Sequence, residues 1–194
     1  MDREWVERYH RKQTGTRTAQ RRLRREHRIV RALLGPLGPG AVVLDVPCGI
    51  GPHTRRLQEE GLRVIACDRN RWMLEHALRD ARPWRLLQAD ARRLPLASDV
   101  ADAALVIRLL HYLDDPAERR AVLSEAARVA RGPVVISFMH PIAVAPLLKA
   151  RPTRKTQDVA TIRRDAEACG LRVARLRPVF PFVKRIWFAA LERR

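Results

Sequence analysis

Apolar residues fall along this chain in short continuous runs, each closed by a polar or glycine-bearing turn and followed by a stretch of helical spacing. The runs are Ala41-Val42-Val43-Leu44, Val64-Ile65-Ala66-Cys67, Leu86-Leu87-Gln88, Ala103-Ala104-Leu105-Val106-Ile107 and Val134-Val135-Ile136-Ser137. A strand that is apolar at successive positions buries both faces, so the pattern predicts a mostly parallel sheet with helices on either side. Two later runs, Leu171 to Leu176 and Ile186 to Leu191, are separated by a short link containing Pro178 and Pro181. That link is too short for a parallel crossover and predicts an antiparallel pair.

Ahead of the first strand, residues 3–34 space their apolar positions widely among charges: Trp5, Val6, Tyr9, then Ile29, Val30, Leu33, Leu34. One or two basic helices are expected there, broken at the Thr14-Gly15-Thr16 turn signal. The Gly/Pro cluster GPLGPG at 35–40 must stop a helix. Two units follow from this reading, a basic helical extension over residues 1–39 and an α/β domain over 40–194. Residues 141–157, rich in proline and basic side chains, are expected to form a loop or short helix after the fifth strand, on the ligand-bearing side of the sheet, where it and the N-terminal helix close over a substrate.

Composition narrows the function classes. No apolar run approaches the ~20 residues a membrane-spanning helix needs, and the opening MDREWVERYHRKQ does not place an apolar core behind a basic tip, which points to a cytoplasmic protein. Cys48, Cys67 and Cys169 lie far apart without any metal-ligand spacing and are read as reduced thiols. His10, His27, His53 and His76 show no paired spacing, and no metal is expected.

The net charge of +18 is unevenly placed. Residues 1–40 carry 11 Lys/Arg against 4 Asp/Glu, residues 41–148 carry 15 against 13, and residues 149–194 carry 13 against 4, so the excess sits at both ends. Such a field favours an anionic partner: a phosphorylated metabolite, nucleic acid or an acidic membrane surface. A GC-rich genome accounts for 35 arginines against 4 lysines, but not for basic residues outnumbering acidic ones.

The strongest chemical signal is VVLDVPCGIG at 42–51, an apolar strand ending in Asp45 and opening into a glycine turn ahead of a helix from His53 to Glu60. Glycine lets backbone N–H groups and a helix N-terminus approach a ligand closely. A nicotinamide-binding turn would carry G-x-G-x-x-G, whereas the glycines here are Gly49 and Gly51. A second acid, Asp68, closes the next strand, where a carboxylate accepts two hydrogen bonds from a ribose diol, and a third, Asp90, follows the third strand.

LDVPCGIG, CDRNRWMLEHA and QADARRLPLASDVADAALVIRLLHYLDD together resemble the class I S-adenosylmethionine-dependent methyltransferase family, in particular its quinone-biosynthesis branch, over roughly residues 40–140. The resemblance implies a Rossmann-like seven-stranded fold, S-adenosyl-L-methionine as cofactor, and transfer of its methyl group to a small or lipid-linked acceptor. It places Asp45, Cys48, Gly49 and Gly51 around the methionine moiety, Asp68 on the ribose hydroxyls, Arg69 and Met73 beside the adenine, Asp90 and Ala91 at the adenine edge, and Ile107 and Arg108 flanking the sulfonium. Pro47 stands where the family usually has glycine, so a backbone N–H is missing and φ is held near −65° in the cofactor turn. The stretch Val129-Ala130-Arg131-Gly132-Pro133 also lacks the family's usual PGG.

Methyl transfer draws much of its rate from proximity and needs a base only when the acceptor must lose a proton. His111, after the fourth strand, is the candidate base, with His140 behind it; both have packing as the competing role, and Tyr9 and Tyr112 are weaker candidates for positioning an acceptor. The alternatives are an RNA methyltransferase, which needs the basic ends to form one patch, and a cofactor-binding subunit without activity. No RNP aromatic pair or aromatic ladder supports the first.

Overall fold

The computed structural model describes residues 2–141, 156–179 and 186–194. Five parallel strands, β1 (Val42–Asp45), β2 (Arg63–Asp68), β3 (Arg85–Gln88), β4 (Ala103–Val106) and β5 (Val134–Met139), alternate with helices except between β3 and β4, where residues 89–102 form turns instead of the expected helical stretch, and β6 (Leu171–Pro178) and β7 (Ile186–Arg193) complete the sheet. The order is β3-β2-β1-β4-β5-β7-β6, with β7 antiparallel to both β5 and β6. The expected seven strands and the antiparallel pair are therefore present. Residues 142–155, which hold most of the expected 141–157 lid, and the link with Pro181 lie outside the described residues.

Why the strands are apolar throughout is visible in their alternation. Val43, Val64, Leu105 and Val135 face one side of the sheet, where they pack with Val30, Leu33 and Leu34 of α2 (Arg17–Leu34) and Leu57 of α3 (Pro52–Glu59). Their neighbours Leu44, Ile65, Val106 and Ile136 face the other side, against α5 (Pro116–Val129) and α6 (Val159–Glu167). Both faces are thus buried, as parallel strands require. Helix α4 (Arg71–Asp80) packs beside β2 and β3.

The N-terminal chain forms two helices, α1 (Arg3–Thr14) and α2, broken at Gly15 as its turn signal predicts. Asp2 accepts from the Trp5 N–H and Thr16 from the Ala19 N–H, so each helix begins at a side-chain cap. Helix α2 is part of the core: it packs on β5 and β7, Val30 and Leu33 are fully buried, and truncating Leu33 to alanine would cost about 2–5 kcal/mol.

The order β2-β1-β4-β5 places the switch in strand direction of progression between β1 and β4, the position at which a doubly wound sheet opens a crevice beyond its carboxyl ends. Asp102 is at the opposite end, where its carboxylate accepts the Val42 N–H at 2.8 Å and so ties the start of β1 to that of β4.

Candidate functional site

Asp45 ends β1, and the residues that follow turn back over β2. The Cys48 N–H donates to the Cys67 carbonyl at 2.8 Å, and the Gly49 N–H donates to the Asp68 carboxylate at 2.9 Å. Gly49 has φ +56°, the left-handed region that favours glycine, and a Cβ there would project into open space. Gly51 has a different reason to be glycine: a Cβ would lie 2.8 Å from the Ala81 Cβ, so its bareness lets α3 pack against the end of α4. The Val46–Pro47 peptide is cis.

Beyond these carboxyl ends opens a cleft of about 500 Å³. It brings together Asp45, Pro47, Cys48, Gly49, Asp68, Arg69, Met73, Asp90, Ala91, Ile107 and Arg108, residues scattered over sixty-four positions of sequence (45 to 108). Of the residues singled out from the sequence, Gly51, His111 and His140 are not among those lining it. His111 lies in a short 3-10 turn, Leu110–Tyr112, buried with its ring 4.3 Å from that of Tyr112, and Tyr112 faces the cleft in its place. His140 packs on Trp187 at 4.9 Å.

The acids along the cleft differ in state. Asp45 is fully buried, and burial pushes its carboxyl up to about 7, against the hydroxyl of Thr54, which donates at 2.6 Å, and the Thr54 backbone N–H. Burial also raises Asp68, while N–H donors of Asn70 and Gly49, each at 2.9 Å, favour its charged form. The Arg69 N–H acts in the same sense, and with about four acceptor positions the carboxylate keeps room for a further hydroxyl. Asp90, more exposed, is held below the usual carboxylate range by Arg92, which grips it through Nε at 3.0 Å and Nη2 at 2.6 Å. Burial and the neighbouring Asp45 push the Cys48 thiol up, and the Cys67 thiol reaches about 12, so both stay protonated.

At the β4 end the wall is made by the N-terminal helices. Trp5, Tyr9 and Gln13 of α1 and Arg22 of α2 line it, with His53 of α3. Trp5 and Tyr9 stack at 5.2 Å, and Val6 packs with Ile50 and Met73, so α1 rests on the glycine turn. A second contact holds α1 to α4: His10 Nε2 lies 3.2 Å from Asp80, His76 Nε2 lies 3.3 Å from Glu7, and the two imidazoles stack at 4.9 Å. The ligand-type atoms of His10, His76 and Asp80 fall within 4.8 Å of one another, a grouping their sequence spacing hides.

Arg108 adopts φ +60° at the end of β4, its N–H donating to Ser137 Oγ at 2.8 Å. Its guanidinium reaches Gln13 at 3.1 Å and the fully buried Glu26 at 2.5 Å. Gln13 also accepts from Arg22. Burial and nearby Arg108 push His53 down to about 3, leaving a neutral imidazole whose buried Nδ1 has no hydrogen-bond partner among the described residues. The i, i+4, i+8 spacing of Trp5, Tyr9 and Gln13 was the available sequence signal for the α1 wall; nothing local marks Glu26, Arg22 or His53.

Residues 43–132 match a family model described as a methyltransferase domain. Over 101 residues the chain is 38% identical to the demethylmenaquinone methyltransferase of Mycolicibacterium paratuberculosis, an alignment covering 52% of this chain and 41% of that protein. The chain thus spans less than half the length of the curated relatives it matches. Among solved structures, the magnesium protoporphyrin IX methyltransferase of Synechocystis with bound SAH superposes with a TM-score of 0.74 at 18% identity, over 92% of this chain and 89% of that one. A TehB-like SAM-dependent methyltransferase of Corynebacterium glutamicum gives 0.74 at 18% identity over the full length of both. These two show a common fold.

Proposed function

We propose that this chain, which belongs to the class I S-adenosylmethionine-dependent methyltransferases, transfers the methyl group of that cofactor to a small or lipid-linked, anionic acceptor. The observation that carries the reading is the row Asp68, Asp45 and Arg108, set at the carboxyl ends of the adjacent strands β2, β1 and β4 around Gly49. The cofactor supplies an activated methyl group on a sulfonium, so displacement needs in-line approach more than bond-making help from the protein.

The residues present fit such a ligand. Asp68 keeps acceptor capacity for a ribose hydroxyl, the missing Cβ of Gly49 leaves room for the methionine portion, and Met73, Arg69, Asp90 and Ala91 border the adenine side. Asp45, poised near 7, meets a positively charged ligand and becomes the anion that balances it. On the acceptor side Arg22 and Arg108 supply positive charge, and the neutral His53 ring forms part of the wall. His111 takes the acceptor proton only if the Tyr112 ring turns aside. The reading places the reaction in the cytoplasm, and among the described residues no helix is long and apolar enough to cross a membrane.

Calorimetric titration with S-adenosylmethionine, S-adenosylhomocysteine and NADH, on the whole chain and on Asp68→Ala, tests this. Saturable binding of the first two is expected, weakened about 10–100-fold in the variant by loss of charge-assisted hydrogen bonds. No binding of either, or equal binding of NADH, overturns the reading.

A further inference from the structure

On the outer side of the same helices that wall the cleft lies a second concavity, about 580 Å³, between α2 and α3. Its lining is almost wholly guanidinium: Arg21, Arg22, Arg24, Arg25 and Arg28 from α2 and Arg56 from α3, with His27 at the floor. Arg21, Arg24 and Arg28 belong to a single stripe, since Arg17, Arg21, Arg24, Arg28 and Arg31 follow one another at intervals of four, three, four and three residues. A stripe of 14 steps runs about 21 Å along a helix.

The surrounding carboxylates are already engaged. Glu26 is buried beneath the helix with Arg108, Glu59 pairs with Arg55 at 2.9 Å, and Glu60 is shared by His27 and Arg31, both at 2.6 Å. Among the described residues Arg21, Arg24, Arg28 and Arg56 make no ion pair. Like charges at i, i+4 destabilise a helix, so this arrangement carries a folding cost that an anion in the groove would reverse.

Arg22 lines both the groove and the cleft, and the His27 ring in the groove lies 6.0 Å from the His53 ring in the cleft. We infer that the arginine groove is the anchoring subsite for a phosphate or diphosphate group carried by the methyl acceptor, with Arg22 marking the passage along which the acceptor reaches the cleft. The guanidinium fork matches phosphate oxygens in pairs, and several forks converging from two helices suit a compact, multiply charged group. The exposed face of α2 presents no large apolar side chain that would enter a bilayer, and the exposed aromatic residues Trp84 and Tyr112 are not among the groove's lining residues, so it has no stacking platform for bases.

The inference rests on the methyltransferase reading for the word acceptor, and the test separates the two. The whole chain is titrated with inorganic pyrophosphate at about 0.15 M salt, where exposed charges are well screened, in the wild type, an Arg21→Ala/Arg24→Ala/Arg28→Ala variant and Arg56→Ala. Binding that falls about tenfold or more in the triple variant, less in Arg56→Ala, while S-adenosylmethionine binding is unchanged, supports the subsite. Retained cofactor binding also shows that the variants fold. Pyrophosphate binding that is absent in the wild type, or equal in all three proteins, overturns it. Loss of the cofactor reading with pyrophosphate binding intact leaves an anion site and removes its link to methyl transfer. Sedimentation with phosphatidate vesicles, compared with competition by soluble phosphomonoesters, assigns a lipid-borne or a soluble source, and a structured RNA that displaces pyrophosphate from the same arginines overturns the assignment to a small phosphorylated acceptor.

Discussion

The guanidinium of Arg108, at the end of β4, meets the carboxylate of Glu26, on α2, at 2.5 Å across eighty-two positions of sequence. Glu26 is fully buried, so this contact fastens the N-terminal helices to the sheet at the cleft. Removing one member of a buried pair leaves an uncompensated charge. Glu26→Ala should lower stability by about 3 kcal/mol, and Glu26→Ala combined with Arg108→Met should recover much of that loss. Urea unfolding of the four proteins of the cycle measures both; equal losses in the single and double variants would show that the pair is not the cause.

Asp45 has the next consequence. Its carboxyl is raised by burial to about 7, so the folded state holds a proton that the unfolded chain has lost. The associated stability is full below the ordinary carboxylate range and is lost as pH rises toward 7. Asp45→Asn should flatten this slope between about pH 4 and pH 7. A cationic cofactor favours the charged form, so binding near pH 7 should release protons in wild type and not in the variant, which calorimetry in buffers of different ionisation enthalpy detects.

His53 and His27 act in the opposite sense. Burial lowers both below their ordinary value, His53 to about 3. As pH falls below about 6.5 the unfolded chain takes up protons that the folded chain refuses, and stability declines by about 1.4 kcal/mol per pH unit for His53 alone. His53→Gln should shift the acid-unfolding midpoint downward; an unchanged midpoint would mean that the ring is charged in the folded protein.

The two turn glycines should respond differently to alanine. At Gly51 the new Cβ meets Ala81 at 2.8 Å and Ala77 at 3.3 Å, so the main effect is on folding, about 1–3 kcal/mol. At Gly49 nothing obstructs the methyl group, which enters the cleft. The left-handed backbone costs about 1–2 kcal/mol there, and S-adenosylmethionine affinity should fall well beyond any effect at Gly51. Melting temperature and cofactor titration, measured together, separate the two roles.

Much of the architecture was legible because it is written in local pattern. Apolar runs that bury both faces are hard to mistake for anything but parallel strands, and the first two end at their acids, Asp45 and Asp68. The Pro-bearing link betrayed the antiparallel pair, and Gly15 the helix break. What stayed hidden depends on tertiary contact. His10 and His76 show no common spacing, since α1 and α4 bring them together only by packing. Arg22 and Glu26 look like any charges on a basic helix until the sheet lies under them. His111 illustrates a finer limit: in a 3-10 turn neighbouring residues point about 120° apart, so adjacency in sequence to a cleft residue, Tyr112, does not place a side chain in the cleft.

The position of β7 matters before the protein is finished. Last of the sheet strands to be synthesised, it inserts between β5 and β6 instead of adding to an edge. While the ribosome has yet to release residues 186–193, β5 offers an open edge carrying Val134, Ile136 and Phe138, and β6 has no partner in the sheet. Such an edge is a template for pairing with foreign strands. Nascent chains stalled before Ile186 should therefore be the aggregation-prone species and the natural clients of a chaperone.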